Sequence, residues 1–126
     1  MPAHLLLAED DDDIRAVATL ALRREGFDVT AVANGEAALA CVHAARPDAV
    51  VLDWMMPTLD GPSTCAALRA DGRTASLPVI FLTAKRDPAD VTRMRELGAR
   101  GHIAKPFNPL ELGAQVRALL DPRQSD

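Results

Sequence analysis

A chain of 126 residues with 48% hydrophobic and 25% charged residues has the composition of a single globular domain. Its net charge of −4, from 14 basic and 18 acidic residues, gives no electrostatic basis for nucleic-acid binding by this domain. No apolar stretch approaches the ~20 residues that a membrane-spanning helix needs. The segment from Met1 to His4 lacks the features of a secretory signal, so no membrane association and a cytoplasmic location are expected.

The acidic residues are concentrated at one place in the chain. Five of them stand consecutively, from Glu9 to Asp13, directly after the apolar run Leu5-Leu6-Leu7-Ala8. Without these five, 13 of the 18 acidic residues remain against 14 basic ones. The acidity is therefore a local feature, and it indicates a site rather than a general property of the surface.

Apolar segments of strand length alternate with segments of helical periodicity five times along the chain. Strands are predicted at 5–8, 29–32, 49–52, 78–82 and 101–104, and each is followed by a predicted helix. The strands are continuous apolar runs, which is typical of a parallel sheet covered by helices on both faces. We therefore predict an α/β fold, a doubly wound (βα)5 domain over residues 1–120 with the flavodoxin-like strand order 2-1-3-4-5. Residues 121–126 are expected to be a C-terminal tail or the start of a linker.

The residues at the carboxyl ends of the predicted strands are chemically distinctive. Glu9 and Asp10 follow the first strand, Asp53 the third, Thr83 the fourth and Lys105 the fifth. In a doubly wound sheet the ligand site lies at these ends. Three close carboxylates need a counter-charge to remain ionised, and Mg²⁺ is a suitable one. The pattern indicates phosphoryl chemistry, with a carboxylate as nucleophile and with Thr83 and Lys105 on the phosphoryl oxygens.

Four motifs, in this order and at these spacings, resemble those of the response-regulator receiver domains of two-component signalling. They are Glu9-Asp10, Leu52-Asp53 with Met56-Pro57 and Asp60-Gly61, Thr83-Ala84, and Lys105-Pro106-Phe107, and the resemblance spans residues 4–120. It implies that Asp53 accepts a phosphoryl group from a sensor histidine kinase or a histidine phosphotransfer protein. It also implies that Glu9, Asp10, Asp53 and the backbone carbonyl of Met55 hold Mg²⁺ or Mn²⁺, and that the peptide bond between Lys105 and Pro106 is cis.

The resemblance further implies how the signal leaves the domain. Thr83 moves toward the phosphoryl group, an aromatic residue on the fifth strand turns inward, and the surface of the fourth helix, fifth strand and fifth helix changes. That surface then binds an output protein or an effector domain outside this chain, or it pairs two copies of the chain. Such a domain is not a conventional enzyme, because it catalyses only its own phosphotransfer and autodephosphorylation.

The sequence departs from the family pattern in places that matter for function. His102 stands where the switch aromatic is usually Tyr or Phe, so a pseudo-receiver or an atypically switching protein-interaction module is the alternative function. Met55 and Lys85, two residues past Asp53 and Thr83, flank the expected path of an attacking water molecule. An apolar chain and a cation position water poorly, which predicts slow autodephosphorylation.

Other interpretations of the acidic run fit the residues less well. A nucleotide or flavin binder of this topology needs a Gly-, Ser- or Thr-rich loop after the first strand, where five acids would repel phosphate. A calcium loop of the EF-hand type needs a ligand and a glycine where Ile14 and Arg15 stand. A hydrolase of the haloacid dehalogenase type needs a second Asp where Met55 stands. Asp11 to Asp13 are instead predicted to begin a helix.

Overall fold

Five parallel strands, each followed by a helix, make up the computed structural model, which describes residues 3–84 and 87–122. In chain order the elements are β1 (His4–Ala8), α1 (Asp12–Arg24), β2 (Asp28–Val32), α2 (Gly35–Ala44), β3 (Ala49–Asp53), α3 (Gly61–Ala70), β4 (Val79–Thr83), α4 (Pro88–Glu96), β5 (Gly101–Ala104) and α5 (Pro109–Leu120). The strands pair in the order β2-β1-β3-β4-β5. This confirms the predicted flavodoxin-like α/β fold and its strand order.

The central strands β1, β3 and β4 are buried on both faces, which explains why they are apolar runs. Leu5 and Leu7 pack with α1 and α5 on one face, whereas Leu6 and Ala8 pack with α2, α3 and α4 on the other. Every residue of β3 and β4 is buried. Because side chains alternate between the two faces of a strand, a strand with both faces covered must be apolar at every position.

Each helix begins with an Asp or Asn whose side chain accepts a hydrogen bond from a backbone N–H of the first turn. These N-cap residues are Asp11, Asn34, Asp60, Asp87 and Asn108. The cap satisfies a helix N–H group that has no partner within the helix. Asp11 caps α1 and Asp12 and Asp13 lie in its first turn, as predicted for the second part of the acidic run.

Arginines from neighbouring elements bind backbone carbonyls at or just beyond the C-terminal ends of three helices. Arg117 donates to the carbonyl of Glu25 after α1 at 2.7 Å, and Arg69 donates to the carbonyl of Leu97 after α4 at 2.8 Å. Arg100 donates to the carbonyl of Leu119 in α5 at 3.0 Å. These charge-assisted bonds fix helix ends against the rest of the domain. Across the described residues, we find no helix with the length and apolar character needed to cross a membrane.

Candidate functional site

The carboxyl ends of β1, β3, β4 and β5 meet at one edge of the sheet. Asp53 is the last residue of β3 and lies opposite Leu82 of β4, while Thr83 lies opposite Ala104 of β5. Lys105 follows β5, and its backbone N–H donates to the carbonyl of Thr83 at 3.0 Å. The parallel register thus brings the residues predicted from four separate motifs to a single place.

Lys105 joins two of the acids. Its Nζ lies 2.8 Å from Oε1 of Glu9 and 3.2 Å from Oδ1 of Asp53. Glu9 is 0% exposed and Asp53 is 3% exposed, so this pairing is shielded from solvent. Buried carboxylates are costly unless they are paired with a cation, and Lys105 supplies that cation.

Glu9, Asp10 and Asp53 form a cluster of carboxylates that could hold a metal ion. Each offers an oxygen, and these oxygens lie within 4.8 Å of one another. Asp10 is the exposed member of the three. A set of close carboxylate oxygens is the donor chemistry that hard divalent cations such as Mg²⁺ and Mn²⁺ take in proteins.

The carboxylates of Glu9 and Asp53 differ in how many of their oxygens accept a hydrogen bond. Oε1 of Glu9 accepts from Lys105, and Oε2 of Glu9 accepts from the backbone N–H of Asp11 at 3.1 Å. In contrast, Oδ2 of Asp53 is buried and has no hydrogen-bond partner among the described residues. An unpartnered buried carboxylate oxygen is costly, and a cation bound to it would remove that cost. The residues therefore fit a divalent cation.

Burial and the neighbouring negative charge of Glu9 raise the pKa of Asp53 to about 7, although Lys105 opposes the shift. Burial would lower the pKa of Lys105, but its hydrogen bond to Glu9 and the charge of Asp53 outweigh burial and raise that pKa. Lys105 is therefore a cation throughout the neutral range. With this pKa the carboxyl of Asp53 is only partly ionised near neutral pH, and a second cation would favour its charged form.

The loop after Asp53 is held by a close approach of α3. Gly61 donates its backbone N–H to the carbonyl of Trp54 at 3.0 Å. A Cβ atom at Gly61 would collide with the backbone carbonyl oxygen of Asp53. The Asp60-Gly61 motif therefore has two structural roles, because Asp60 caps α3 and Gly61 lets the helix lie against Asp53.

The remaining predicted residues lie around this edge. Thr83 is 1% exposed at the end of β4, and the Lys105–Pro106 peptide is cis, as the family resemblance implied. His102 is half-buried on β5 and pairs with Phe81 of β4. Met55 is 62% exposed. Lys85, which was predicted to flank the water path, lies outside the described residues.

Two depressions border the edge. A cleft of about 630 Å³ is lined by Asp10, Trp54, Met55 and Asp60, among others. An apolar groove of about 480 Å³ lies between α1 and the turn after β5, and Lys105 is part of its lining. The acids and the lysine are therefore approached from two sides of different chemical character.

Arg15 was not identified as a site residue from the sequence. Its Nη1 donates to the backbone carbonyl of Glu9 at 3.0 Å and its Nη2 donates to Oδ1 of Asp12 at 2.6 Å. The spacing of three residues between Asp12 and Arg15 is a recognisable helical pair. That pattern does not reveal the bond to Glu9, because this bond depends on the orientation of α1 relative to the end of β1.

Comparisons with known proteins agree on one family. Residues 5–117 match the family model of the response regulator receiver domain. The chain is 43% identical over 120 residues to the DNA-binding response regulator MtrA of Mycobacterium tuberculosis. The matched region covers 95% of this chain and 51% of MtrA. It is 44% identical over 117 residues to the transcriptional regulatory protein CseB of Streptomyces coelicolor, covering 93% of this chain and 49% of CseB. The chain thus spans about half the length of the curated relatives it matches.

Solved structures give the same result. The chemotaxis response regulator CheY4 of Vibrio cholerae superposes with a TM-score of 0.89 at 30% identity, over 95% of this chain and 100% of that chain. The receiver domain of the Francisella response regulator 1452 superposes with a TM-score of 0.84 at 32% identity, over 93% of this chain and 95% of that chain. Together with the match over residues 5–117, these similarities show that the chain belongs to the receiver domains of two-component response regulators.

Proposed function

We propose that this receiver domain is a phosphorylation-activated switch whose phosphoacceptor is Asp53. The observation that carries the proposal is the state of the Asp53 carboxylate, which is buried at the sheet edge with Oδ1 bound by Lys105 and Oδ2 without a described partner. A carboxylate held in this way is a nucleophile with a cation beside it and with unused acceptor capacity. The phosphodonor is a phosphohistidine on a sensor histidine kinase or a histidine phosphotransfer protein.

In the transfer, a carboxylate oxygen of Asp53 attacks the phosphorus atom and forms an acyl phosphate. The bond between phosphorus and the imidazole nitrogen of the donor breaks, and the leaving imidazole keeps the electron pair and takes a proton. Lys105 donates hydrogen bonds to the phosphoryl oxygens, and the hydroxyl of Thr83 provides a neutral donor beside them. The domain catalyses only its own phosphotransfer and the later hydrolysis of the acyl phosphate.

The cation site supports this chemistry. Glu9, Asp10 and Asp53, with the backbone carbonyl of Met55, would hold Mg²⁺ or Mn²⁺. When bound, the cation supplies positive charge that neutralises the phosphoryl oxygens during transfer. The unpartnered Oδ2 of Asp53 and the close spacing of the three carboxylates support this assignment.

The surface beside the site supports a protein as the phosphodonor. Val17 and Leu20 on α1 are 44% and 61% exposed, and Val17 also lines the apolar groove that reaches Lys105. Exposed apolar surface beside the acceptor is suited to a protein that presents a phosphohistidine. We propose that the output passes through the surface formed by α4, β5 and α5, to an effector domain, an output protein or a second copy of the chain.

Mass spectrometry of the intact protein tests the acceptor directly. Wild type incubated with acetyl phosphate and Mg²⁺ should gain the mass of one phosphoryl group, and an excess of EDTA should prevent the gain. Asp53→Asn should gain nothing, whereas Asp28→Asn, which changes an exposed acid at the start of β2, should react like wild type. A gain that persists in Asp53→Asn would place the acceptor elsewhere. No gain in wild type would favour the alternative of a pseudo-receiver that is not phosphorylated.

A further inference from the structure

Arg15 binds the turn that carries two of the three clustered acids. Its Nη1 donates to the carbonyl of Glu9 at 3.0 Å, and this carbonyl belongs to the peptide group that joins Glu9 to Asp10. Its Nη2 donates to Asp12 at 2.6 Å. The side chain of Arg15 is 24% exposed whereas that of Asp12 is 87% exposed, so the guanidinium lies against the backbone and Asp12 lies toward solvent.

The bond from Arg15 completes the set of bonds that hold Glu9. The backbone N–H of Glu9 donates to the carbonyl of Val32 at 3.1 Å, and its two carboxylate oxygens accept from Lys105 and from the N–H of Asp11. Asp10, in contrast, is exposed at the start of the turn. The direction in which its carboxylate points therefore depends on the orientation of the peptide group that Arg15 fixes.

Two effects of Arg15 on a divalent cation oppose each other. As a positive charge near the acids, it repels a second cation, so its removal would tighten binding. Through its hydrogen bond to the peptide group between Glu9 and Asp10, it holds in place two residues whose carboxylates would bind the cation. Its removal would therefore weaken cation binding. The charge effect is small here because the guanidinium is already paired with Asp12 and the pair is partly screened by solvent. The sign of the change therefore separates the two effects.

We propose that Arg15 is a positioning residue for the divalent-cation site, acting through its hydrogen bond to the backbone carbonyl of Glu9. The proposal rests on the proposed function, because it requires that Glu9, Asp10 and Asp53 hold Mg²⁺. It assigns Arg15 no contact with the cation or with the phosphoryl group.

Calorimetric titration of the whole chain with Mg²⁺ tests the proposal, with the fluorescence of Trp54 as a second measurement. Trp54 is the single tryptophan of the chain, and it lines the same cleft as Asp10. Arg15→Gln should weaken Mg²⁺ binding about tenfold, as loss of a bond that orients a ligand typically does. Arg24→Gln removes an exposed arginine in the last turn of the same helix and should bind like wild type. Binding by Arg15→Gln that equals or exceeds that of wild type would overturn the proposal.

Two further measurements distinguish the hydrogen-bond geometry of Arg15 from its charge and from an effect on folding. Arg15→Lys keeps the charge but replaces the two-pronged guanidinium with a single ammonium, and it should also weaken Mg²⁺ binding. Full wild-type affinity in Arg15→Lys would overturn the requirement for the guanidinium. Thermal unfolding in EDTA identifies the folded fraction, so that each affinity refers to folded protein. If wild type bound no Mg²⁺, the proposed function would fail together with this inference, whereas equal binding by wild type and Arg15→Gln would overturn the inference alone.

Discussion

Nζ of Lys105 lies 3.2 Å from Oδ1 of Asp53, a residue 52 positions earlier in the chain. The same ammonium lies 2.8 Å from Oε1 of Glu9, so one cation is shared by two buried carboxylates before any phosphoryl group is present. This sharing links the chemistry of the site to the stability of the domain, because loss of Lys105 would leave two buried carboxylates without their cation.

Replacing Lys105 with methionine should slow phosphorylation of Asp53. The variant lacks the ammonium that would stabilise the phosphoryl oxygens, and loss of one such donor typically costs about 10²-fold in rate. The rate is measured by intact mass over time with acetyl phosphate and saturating Mg²⁺. Arg95→Met, which removes an exposed cation on α4, is the control and should react at the wild-type rate. A wild-type rate in folded Lys105→Met would show that Lys105 has no part in the transfer.

The stability of the metal-free domain should fall as pH rises from the acidic range to neutrality, and Asp53 should be a cause. Its pKa is raised from 3.8 to about 7 in the folded state, chiefly by burial and then by Glu9. Between these two values the folded state holds the proton that the unfolded chain has lost, so raising the pH favours unfolding. Above about 7 the whole cost of ionising the buried carboxyl is present.

Asp53→Asn removes this titration. In EDTA the substitution should therefore stabilise the domain more at about pH 8 than at about pH 5, by up to about 2 kcal/mol. Urea denaturation of both proteins at the two pH values measures the difference. Excess Mg²⁺ should reduce or reverse the advantage of the variant, because the cation binds and stabilises the folded wild type. An advantage that is the same at both pH values would contradict a raised pKa of Asp53.

The sequence predicts the fold, and it predicts which residues form the site, for a simple physical reason. A continuous apolar run such as Val50-Val51-Leu52 needs cover on both faces, and that requirement leads to a parallel sheet whose carboxyl ends meet at one edge. The polar residues after those runs, Asp53 and Lys105 among them, must then lie close together.

The hydrogen-bond partners of the individual side chains could not be predicted in the same way. Both oxygens of Glu9 have partners while Oδ2 of Asp53 has none among the described residues, and this difference depends on side-chain distances that no periodicity encodes. The close approach of Gly61 to Asp53 and the bond from Arg15 to Glu9 likewise arise only when separate segments pack together.

Arg69 should be important for stability although it lies away from the candidate site. Its guanidinium donates to the carbonyls of Leu97, Ala75, Leu77 and Gly98, and so it joins α3 to the segments before β4 and after α4. Arg69→Gln should lower the free energy of unfolding by about 2–3 kcal/mol, since the variant leaves partly buried carbonyls without their charged donor.

Urea denaturation measures this loss. Arg73→Gln is the matched control, because Arg73 pairs with Asp71 on the exposed surface and its loss should change stability little. Equal effects of the two substitutions would show that the bonds of Arg69 to backbone carbonyls add no more than a surface ion pair does.

Replacing His102 with tyrosine should enlarge the response of the output surface to phosphorylation. His102 is half-buried on β5, and an imidazole carries less apolar surface into the interior than a phenol ring does. Hydrogen exchange of the amides of α4 and β5, with and without acetyl phosphate and Mg²⁺, measures the response. Intact mass confirms equal phosphorylation of the two proteins. An equal change in exchange would show that histidine serves at this position as well as tyrosine.

The acyl phosphate of Asp53 should be long-lived, and Met55 should be one reason. Met55 is 62% exposed and lines the same cleft as Asp10. Its thioether chain neither orients nor activates water. Met55→Asn offers an amide that can hold a water molecule, and hydrolysis should accelerate about tenfold, less than the ~10² or more that a true general base supplies. Met55→Leu keeps an apolar chain and should retain the wild-type lifetime.

Loss of the phosphoryl mass after removal of acetyl phosphate, in the presence of Mg²⁺, gives the hydrolysis rate of each protein. A wild-type half-life of only seconds would contradict the role given to Met55.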